Sequence, residues 1–285
     1  MRLASIVLLS AFCLSMVSAQ TAAATYLFND TLDAQESGRP SLTSVDPYSL
    51  NGFETATVYG QSRRVFRWDG EDPPADQAGL QLHFAPLASG TVYSIEMVFE
   101  FTESTGSWQR IFDVSDRNLD SGLYVDPDGA LEAYPDGTGT TNFTINAFHH
   151  AVFTVDAGTV KVYLDGGMEI DVFSDVLDAN LPHVSFFLDN LSGGGLNEYA
   201  DGRIALLRVY DLILTDQQVA TLAANLFGRV PGDVDGNGCT DDTDLARVLS
   251  MFGETGSGLA EDLNNDGSVD DIDLAIVLEN FGAGC

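Results

Sequence analysis

Lysine is nearly missing from this chain. Lys161 is the only one, and arginine supplies the rest of 12 basic residues set against 43 acidic ones, for a formal charge of −31. A chain this acidic is repelled by nucleic acid and by anionic membrane surfaces, which argues against both as partners. It attracts divalent cations wherever its carboxylates converge, and its few arginines can still make bidentate contacts. Long apolar runs are also scarce. The one at Leu3–Val17 follows Arg2 and ends in Val17-Ser18-Ala19. It is short for a membrane span and has the small-residue ending of a secretory signal, so residues 1–19 read as a cleaved signal peptide, with an uncleaved anchor as the alternative. Phe12 directly before Cys13 argues against a lipoprotein site. The expectation is a secreted, extracellular protein that is not an integral membrane protein. Cysteine is sparse too, with three residues. Cleavage removes Cys13 and leaves Cys239 and Cys285. They are either two free thiols or a disulfide, and an oxidising compartment favours the disulfide.

Helical periodicity is missing between Thr25 and about Ile213. Short stretches rich in β-branched and aromatic residues alternate with Gly, Pro, Asn and Asp clusters: "TVYSIEMVFEF", "SWQRIFDVS", "SGLYVDP", "GALEAYP", "HHAVFTVD", "TVKVYLDG", "HVSFFLDN" and "GRIALLRVYDLIL". Many short strands with a turn every ten residues or so indicate an all-β sandwich or barrel. Asp165-Gly166-Gly167 reads as a tight hairpin turn. Ile204, Leu206 and Val209 are expected to feed the core, with Arg208 reaching solvent or a partner at the edge. His149 and His150 should point to opposite faces of one strand, more as packed or edge histidines than as ligands. The helical pattern arrives with "TDQQVATLAANLF", where Thr215 can cap and Val219, Leu222 and Leu226 share a face.

"NAFHHAVFTVDAGTVKVYLDGGMEI" and "DGRIALLRVYDLILTDQQVATL" resemble the hairpin and the closing strand of the laminin-G-like jelly roll, and "TYLFNDTLDAQESGRPSLT" fits its opening more loosely. The resemblance runs from Thr25 to Phe227 and is weak between Asn51 and Thr91. It implies a concanavalin-A-like sandwich of two antiparallel sheets.

Related sandwiches include polysaccharide hydrolases that carry "E-x-D-x-x-E" on one strand. Here Glu96 and Glu100 share a face by strand period, but Val98 stands where the orienting aspartate would be needed, so the two acids read as part of a solvated face. Trp108, Tyr124, Tyr134, Trp68 and Tyr199 could stack on sugar rings or serve as core. Asp113, Asp116 and Asp120, or Asp189, Asn190 and Glu198, could hold an ion at the sandwich rim, though solvated loops are the simpler reading. "N-x-[ST]" at Asn29, Asn142 and Asn190 is a motif frequent by chance.

The acidic segment beginning "GDVDGNGCTDDTDL" has a spacing of its own. Asp233, Asp235, Asn237, Cys239, Asp241 and Asp244 occupy positions 1, 3, 5, 7, 9 and 12 of a twelve-residue loop, with Gly238 at position 6. This is the EF-hand calcium pattern, in which position 7 supplies only its backbone carbonyl. Asp262, Asn264, Asp266, Ser268, Asp270 and Asp273 repeat it 29 residues on, with Gly267 at position 6. The flanks repeat as well, "DLARVLSMFG" against "DLAIVLENFG". Two loops in register point to two calcium ions. Asp rather than Glu at position 12, and no entering helix, make the tail resemble a type I dockerin. That resemblance implies a calcium-folded module that docks onto a cohesin-type partner through positions 10 and 11. Those are Asp242-Thr243 and Asp271-Ile272 here, not the common Ser-Thr pair.

The expected fold is therefore mainly β: a jelly-roll sandwich over residues 20–228, a short linker at 229–232, and a small helical calcium-loop module over 233–285. The short linker "GRVPG" leaves room for the tail to pack on the sandwich. The leading functional expectation is a secreted, non-catalytic protein that binds a polysaccharide or surface glycan and docks through its tail. The alternatives are a glycoside hydrolase or lyase, and a structural extracellular protein stiffened by calcium.

Overall fold

The computed structural model describes residues 20–70, 77–103, 106–192, 198–226, 230–235, 239–256, 259–264 and 267–283; the expected signal peptide, Asn237, Asp266 and Cys285 lie outside them. Among the described residues fifteen strands, numbered in chain order, form two antiparallel sheets. The first runs β13 (Gly167–Phe173), β12 (Thr159–Leu164), β11 (His149–Asp156), β6 (Val92–Phe101), β15 (Gly202–Tyr210), β4 (Gln61–Trp68), β3 (Gly52–Val58), with β1 (Ala24–Tyr26) also paired to β15. The second runs β10 (Gly137–Asn142), β9 (Ala130–Tyr134), β8 (Gly122–Val125), β7 (Gln109–Asp113), β14 (His183–Phe186), β5 (Gly79–His83), β2 (Thr43–Val45). The jelly-roll expectation holds.

Strand alternation builds the core. Tyr93, Ile95, Met97, Phe99 and Phe101 of β6 point between the sheets, toward Phe112, Leu123, Leu131, Val184 and Phe186 of the second sheet. Phe112 and Phe186 approach at 5.2 Å between ring centroids, and Phe99 and Phe187 at 5.3 Å. Each such ring contributes about 2–3 kcal/mol by leaving water.

The other face of the first sheet is covered as well. Val98, Val65, Leu206 and Leu226 form one outer cluster, while Val152, Tyr163, Tyr210, Leu214 and Val219 form a second under α1 (Asp216–Ala224). The Thr215 hydroxyl accepts from the Gln218 amide, closing a capping box at the start of α1. Two expectations change because of this cover. Leu206 belongs to the outer cluster rather than the core, because a bulge between Ile204 and Leu206 turns Ala205 and Leu206 outward while Ile204 and Val209 stay inside. Glu96 and Glu100 are buried, not solvated. Helix α1 and its flanks cover a face that period 2 alone makes polar.

Glu96 is fully enclosed in a network. Tyr210 donates its hydroxyl to it at 2.6 Å, Arg208 donates at 3.1 Å and 3.2 Å, and His150 Nε2 lies 3.2 Å away. Burial would raise its pKa, but His150, Arg208 and Tyr210 outweigh burial and bring it down to about 2. This carboxylate therefore stabilises the fold above its unfolded pKa, and that contribution is lost as pH falls toward 2. His149 packs toward the inner face, against Phe143 at 4.4 Å, with its Nδ1 2.7 Å from Asp165. The two histidines do point to opposite faces, and both are packed. Asp165 and Gly166 take positive φ in the expected hairpin turn.

In the tail, α2 (Asp242–Met251) and α3 (Asp271–Glu279) pack around Val234, Val248, Val269 and Val277. A cleft of about 410 Å³ lies between His149, His150 and Asp165 of the sandwich and Pro231, Asp233 and Asp262 of the tail. Glu96→Ala is expected to cost about 3 kcal/mol in denaturant unfolding near neutral pH, because buried Tyr210 and His150 and half-buried Arg208 would lose their partner. A loss below about 1 kcal/mol would contradict this account of the network.

Candidate functional site

Aromatic and buried polar residues meet at the β7–β9 end of the second sheet. Trp108 enters β7, and Tyr124 and Tyr134 stand on the outer side of β8 and β9, since Leu123, Val125, Leu131 and Ala133 take the core side. Trp108 lies 5.7 Å from Tyr124 and 5.4 Å from Tyr134, edge on to both. Trp108 and Tyr134 are half-buried, whereas Tyr124 is buried beneath them. Of the five aromatics expected to form a platform, three gather here. Trp68 does not: its ring stacks on Phe187 at 3.8 Å in the core, and its indole donates to the Ala200 carbonyl. Tyr199 is half-buried on the loop before β15.

Beneath the rings lies Arg110, whose guanidinium carbon sits 5.0 Å from the Tyr124 centroid. The side chain is buried against Asp113 at 3.2 Å and Asp189 at 3.7 Å. It donates to Asn190 Oδ1 at 2.9 Å, to the Leu119 carbonyl at 3.0 Å, and to the Ser121 carbonyl. Gly122 leaves the space for this fork, because a Cβ there would meet both the guanidinium and the Phe112 carbonyl. The solvated rim loops expected around Asp113, Asp189, Asn190 and Glu198 are therefore a buried cluster. Its central cation is Arg110, standing where a rim ion would have to sit between Asp113 and Asp189. Asp116 is exposed and Asp120 half-buried. Asn190 is buried and bonded, which removes the third glycosylation tripeptide from the surface. Sequence reading missed Arg110; the signal was an arginine inside an otherwise alternating apolar strand.

Among the described residues Arg110 Nε and Gln77 Nε2 are buried without hydrogen-bond partners, and the buried Tyr124 hydroxyl and Glu198 Oε2 have none beyond each other. Unpartnered buried groups cost about 1–3 kcal/mol each, so a group of them marks a place suited to water or ligand. Burial, followed by the charges of Asp189 and Asp120, raises the pKa of Glu198 to about 8 against Tyr124 and Arg110. Glu198 is thus protonated at neutral pH and can donate a hydrogen bond.

The duplicated acidic loops form the second constellation. Carboxylate oxygens of Asp233, Asp235 and Asp244 lie within 4.8 Å of one another. Asp244 Oδ1 accepts from the amides of Val234 and Asp235, and Asp273 Oδ1 from those of Leu263 and Asn264. Asp241 and Asp270 are the N-caps of α2 and α3, with Asp244 and Asp273 completing capping boxes. Gly267, at position 6, has φ +88° and donates its amide to Asp262 Oδ2. Asp233, Asp244, Asp262 and Asp273 are buried; Asn264, Ser268 and Cys239 are half-buried. Hard oxygen donors converging at loop spacing fit a calcium ion.

The two copies also exchange partners. Thr240, at position 8 of the first loop, bonds the backbone of Gly282 and Ala283 beyond α3. Val269, its equivalent, bonds Gly253 and Glu254 beyond α2. Each loop is thus closed by the exit of the other copy's helix. Asp242, Thr243, Asp271 and Ile272 are all exposed, at equivalent places on the two helix starts.

This fold defines a class, the antiparallel jelly-roll sandwich of lectin-like type. A family model described as the concanavalin A-like lectin/glucanases superfamily matches residues 74–220, just over half of the chain, and the chain belongs to that family. Domain 4 of AbnA, a GH43 extracellular arabinanase from Geobacillus stearothermophilus in complex with arabinotriose, is similar with TM-score 0.50 and 21% identity, over 71% of this chain and 98% of that one. The binding domain of botulinum neurotoxin DC in complex with rat synaptotagmin II is similar with TM-score 0.53 and 10% identity, over 75% of this chain and 53% of that one. A structure of botulinum neurotoxin type C, whose cell entry depends on two ganglioside molecules, gives TM-score 0.52 and 10% identity with the same coverage. This chain spans about half the length of the toxin domains. Such identities show likeness of fold alone. No curated protein matches. Among the described residues no helix is long and apolar enough to cross a membrane.

Because its folded pKa is raised, Glu198 contributes stability below its unfolded pKa of about 4.5, lost as pH rises through about 8. Glu198→Gln should therefore unfold at a higher temperature than the parent at pH 9. The gap should be on the order of 2 kcal/mol and close at pH 4. Equal gaps at the two pH values would contradict the assignment.

Proposed function

We propose that this is a secreted glycan-binding protein whose tail is a calcium-folded, dockerin-like module. The sandwich binds sugar at the Trp108–Tyr134 edge, with Tyr124, Arg110 and Glu198 below it. The observation that carries this reading is the joining of two half-exposed aromatic rings to a floor of buried, unpartnered polar atoms. Aromatic faces supply stacking area for sugar C–H groups, and polar groups beneath fix orientation. The likeness to an arabinanase domain bound to arabinotriose makes that trisaccharide the first probe. Membership of the glucanase-containing family does not by itself supply a catalytic pair. Glu96 is sealed beneath Arg208, Tyr210 and His150, which does not support a role as nucleophile.

In the tail, Asp233, Asp235, Asn237, Asp241 and Asp244, with the Cys239 carbonyl, would hold one calcium. Asp262, Asn264, Asp266, Asp270 and Asp273, with the Ser268 carbonyl, would hold the second. The ions supply charge neutralisation, without which converging carboxylates repel one another, so calcium binding is coupled to folding. Cys239 and Cys285 are proposed to pair; the bonds from Thr240 to Gly282 and Ala283 bring the chain to within a few residues of that closure. The docking face is proposed on α2 and α3, where Leu249, Phe252, Leu278 and Phe281 are exposed in equivalent pairs beside Asp242-Thr243 and Asp271-Ile272. A cohesin-type domain is the proposed partner.

Removing calcium from the whole protein should abolish the tail's helical signal and amide protection while leaving the sandwich folded, and calcium should restore both. Capture on an immobilised cohesin should need calcium and fail in a Leu249→Asp/Leu278→Asp variant. A tail folded equally with chelator would overturn the calcium reading; a calcium-folded tail that no cohesin captures would overturn docking alone. On neutral oligosaccharides, Trp108→Ala should weaken binding at least about tenfold, measured by calorimetry, and unchanged affinity would remove the aromatic edge from the site.

A further inference from the structure

The sugar-facing end of the second sheet is built without an available positive charge. In its seven strands the only basic side chain of lysine or arginine type is Arg110. Its guanidinium is enclosed by Asp113, Asp189 and Asn190 and by two carbonyls. Arg117, the next nearest, is also buried, and its Nε donates to the Asp189 carbonyl at 2.6 Å. Lys161 stands on the first sheet between Asp171 and Asp216. Arg39 is exposed on the loop before β2, at the far edge of the second sheet from the aromatic residues, and the sandwich arginines from Arg63 to Arg67 and at Arg203 and Arg208 belong to β4 and β15 of the first sheet. Against the two buried arginines stand Asp113, Asp116, Asp120, Asp189 and Glu132, together with the protonated Glu198. His83 and His183, stacked at 5.0 Å, lie on β5 and β14, across β7 from the aromatic edge.

A carboxylate or sulfate on a sugar would therefore enter a field of carboxylates with no exposed lysine or arginine on the strands around the aromatic edge to meet it. At an effective dielectric near 20, one added anion about 8 Å from one uncompensated carboxylate is disfavoured by a factor of roughly ten or more. The unpartnered atoms point the same way. Arg110 Nε and Gln77 Nε2 are donors, and the Tyr124 hydroxyl and protonated Glu198, which face each other, hold two protons between them and can donate one outward. Neutral hydroxyl and ring oxygens satisfy such donors without bringing charge.

We propose that this site selects uncharged sugar chains and rejects uronic-acid, sulfated and sialylated ones, the selection being made by the acidic surround of Arg110. The inference rests on the glycan-binding reading and adds the substrate class to it. The test is calorimetry of the whole, calcium-loaded protein with neutral trisaccharides (arabinotriose, xylotriose and cellotriose) and with trigalacturonate, at two salt concentrations. At least one neutral probe should bind with little salt dependence, and trigalacturonate should bind roughly tenfold or more weaker, gaining affinity as salt screens the site. Asp116→Asn/Asp120→Asn should narrow that gap several-fold while leaving the neutral probe unchanged. Asn is tolerated at 116, where φ is +55°. Trigalacturonate binding as tightly as the best neutral probe would overturn the selectivity and leave the glycan reading standing. Binding of no probe would overturn both, and a double variant with an unchanged gap would remove the acidic surround as the cause.

Discussion

A guanidinium buried away from water must be neutralised where it stands, and Arg110 imposes that requirement on one whole end of the sandwich. Asp113 from the same strand and Asp189 from the loop after β14 supply the charge, Asn190 and two carbonyls accept from its terminal nitrogens, and Gly122 gives up its side chain to leave room. Removing one such partner strands a charge in the interior, so these groups stand or fall together. The loop after β14 is thereby tied to β7. The same guanidinium lies under Tyr124, which carries Trp108 and Tyr134 at its edges. The rigidity of the aromatic edge follows from the ion cluster beneath it.

The opposite face of the molecule uses the same device for another end. Glu96 gathers Arg208, Tyr210 and His150 on the outer face of the first sheet, and its own carboxylate is enclosed there. The two buried clusters divide the sandwich between them. One closes the outer face of the first sheet as a structural floor, while the other leaves donors unpartnered below half-exposed rings. In the tail, negative charge is concentrated rather than neutralised. Buried Asp244, Asp262 and Asp273 hold backbone amides, but those amides do not cancel the repulsion among carboxylates. The proposed calcium ions would supply the opposite charge that makes the loops a stable core.

Much of this was legible in the sequence because it depends on local spacing. The twelve-residue loops, their 29-residue offset and the Thr215 cap each state a short-range geometry, and the helices begin where the caps fall. Alternation in β6 and β15 made the two-sheet architecture readable. Three kinds of feature were not readable. β3, β4 and β5 fall where arginines and a Pro-rich stretch obscure the period. The outward turn of Ala205 and Leu206 needs a bulge that period 2 does not announce. The burial of Glu96 depends on His150, Arg208 and Tyr210, which lie 54 to 114 residues away in sequence. The site was legible as a set of aromatics but not as a place. Trp68 and Trp108 look alike in one dimension, and only the packing sends one into the core and the other to the edge.

That division of the two tryptophans offers the most direct measurement. Trp68 is enclosed and stacked on Phe187, so sugar at the surface should not reach it, and the intrinsic fluorescence response to ligand should come from Trp108 alone. Titration of the calcium-loaded protein with a neutral oligosaccharide that binds should give a saturable change in emission and reduced acrylamide quenching. Both effects should vanish in a folded Trp108→Phe variant. A binding protein whose emission does not change, or a response that survives in Trp108→Phe, would contradict sugar binding at this edge.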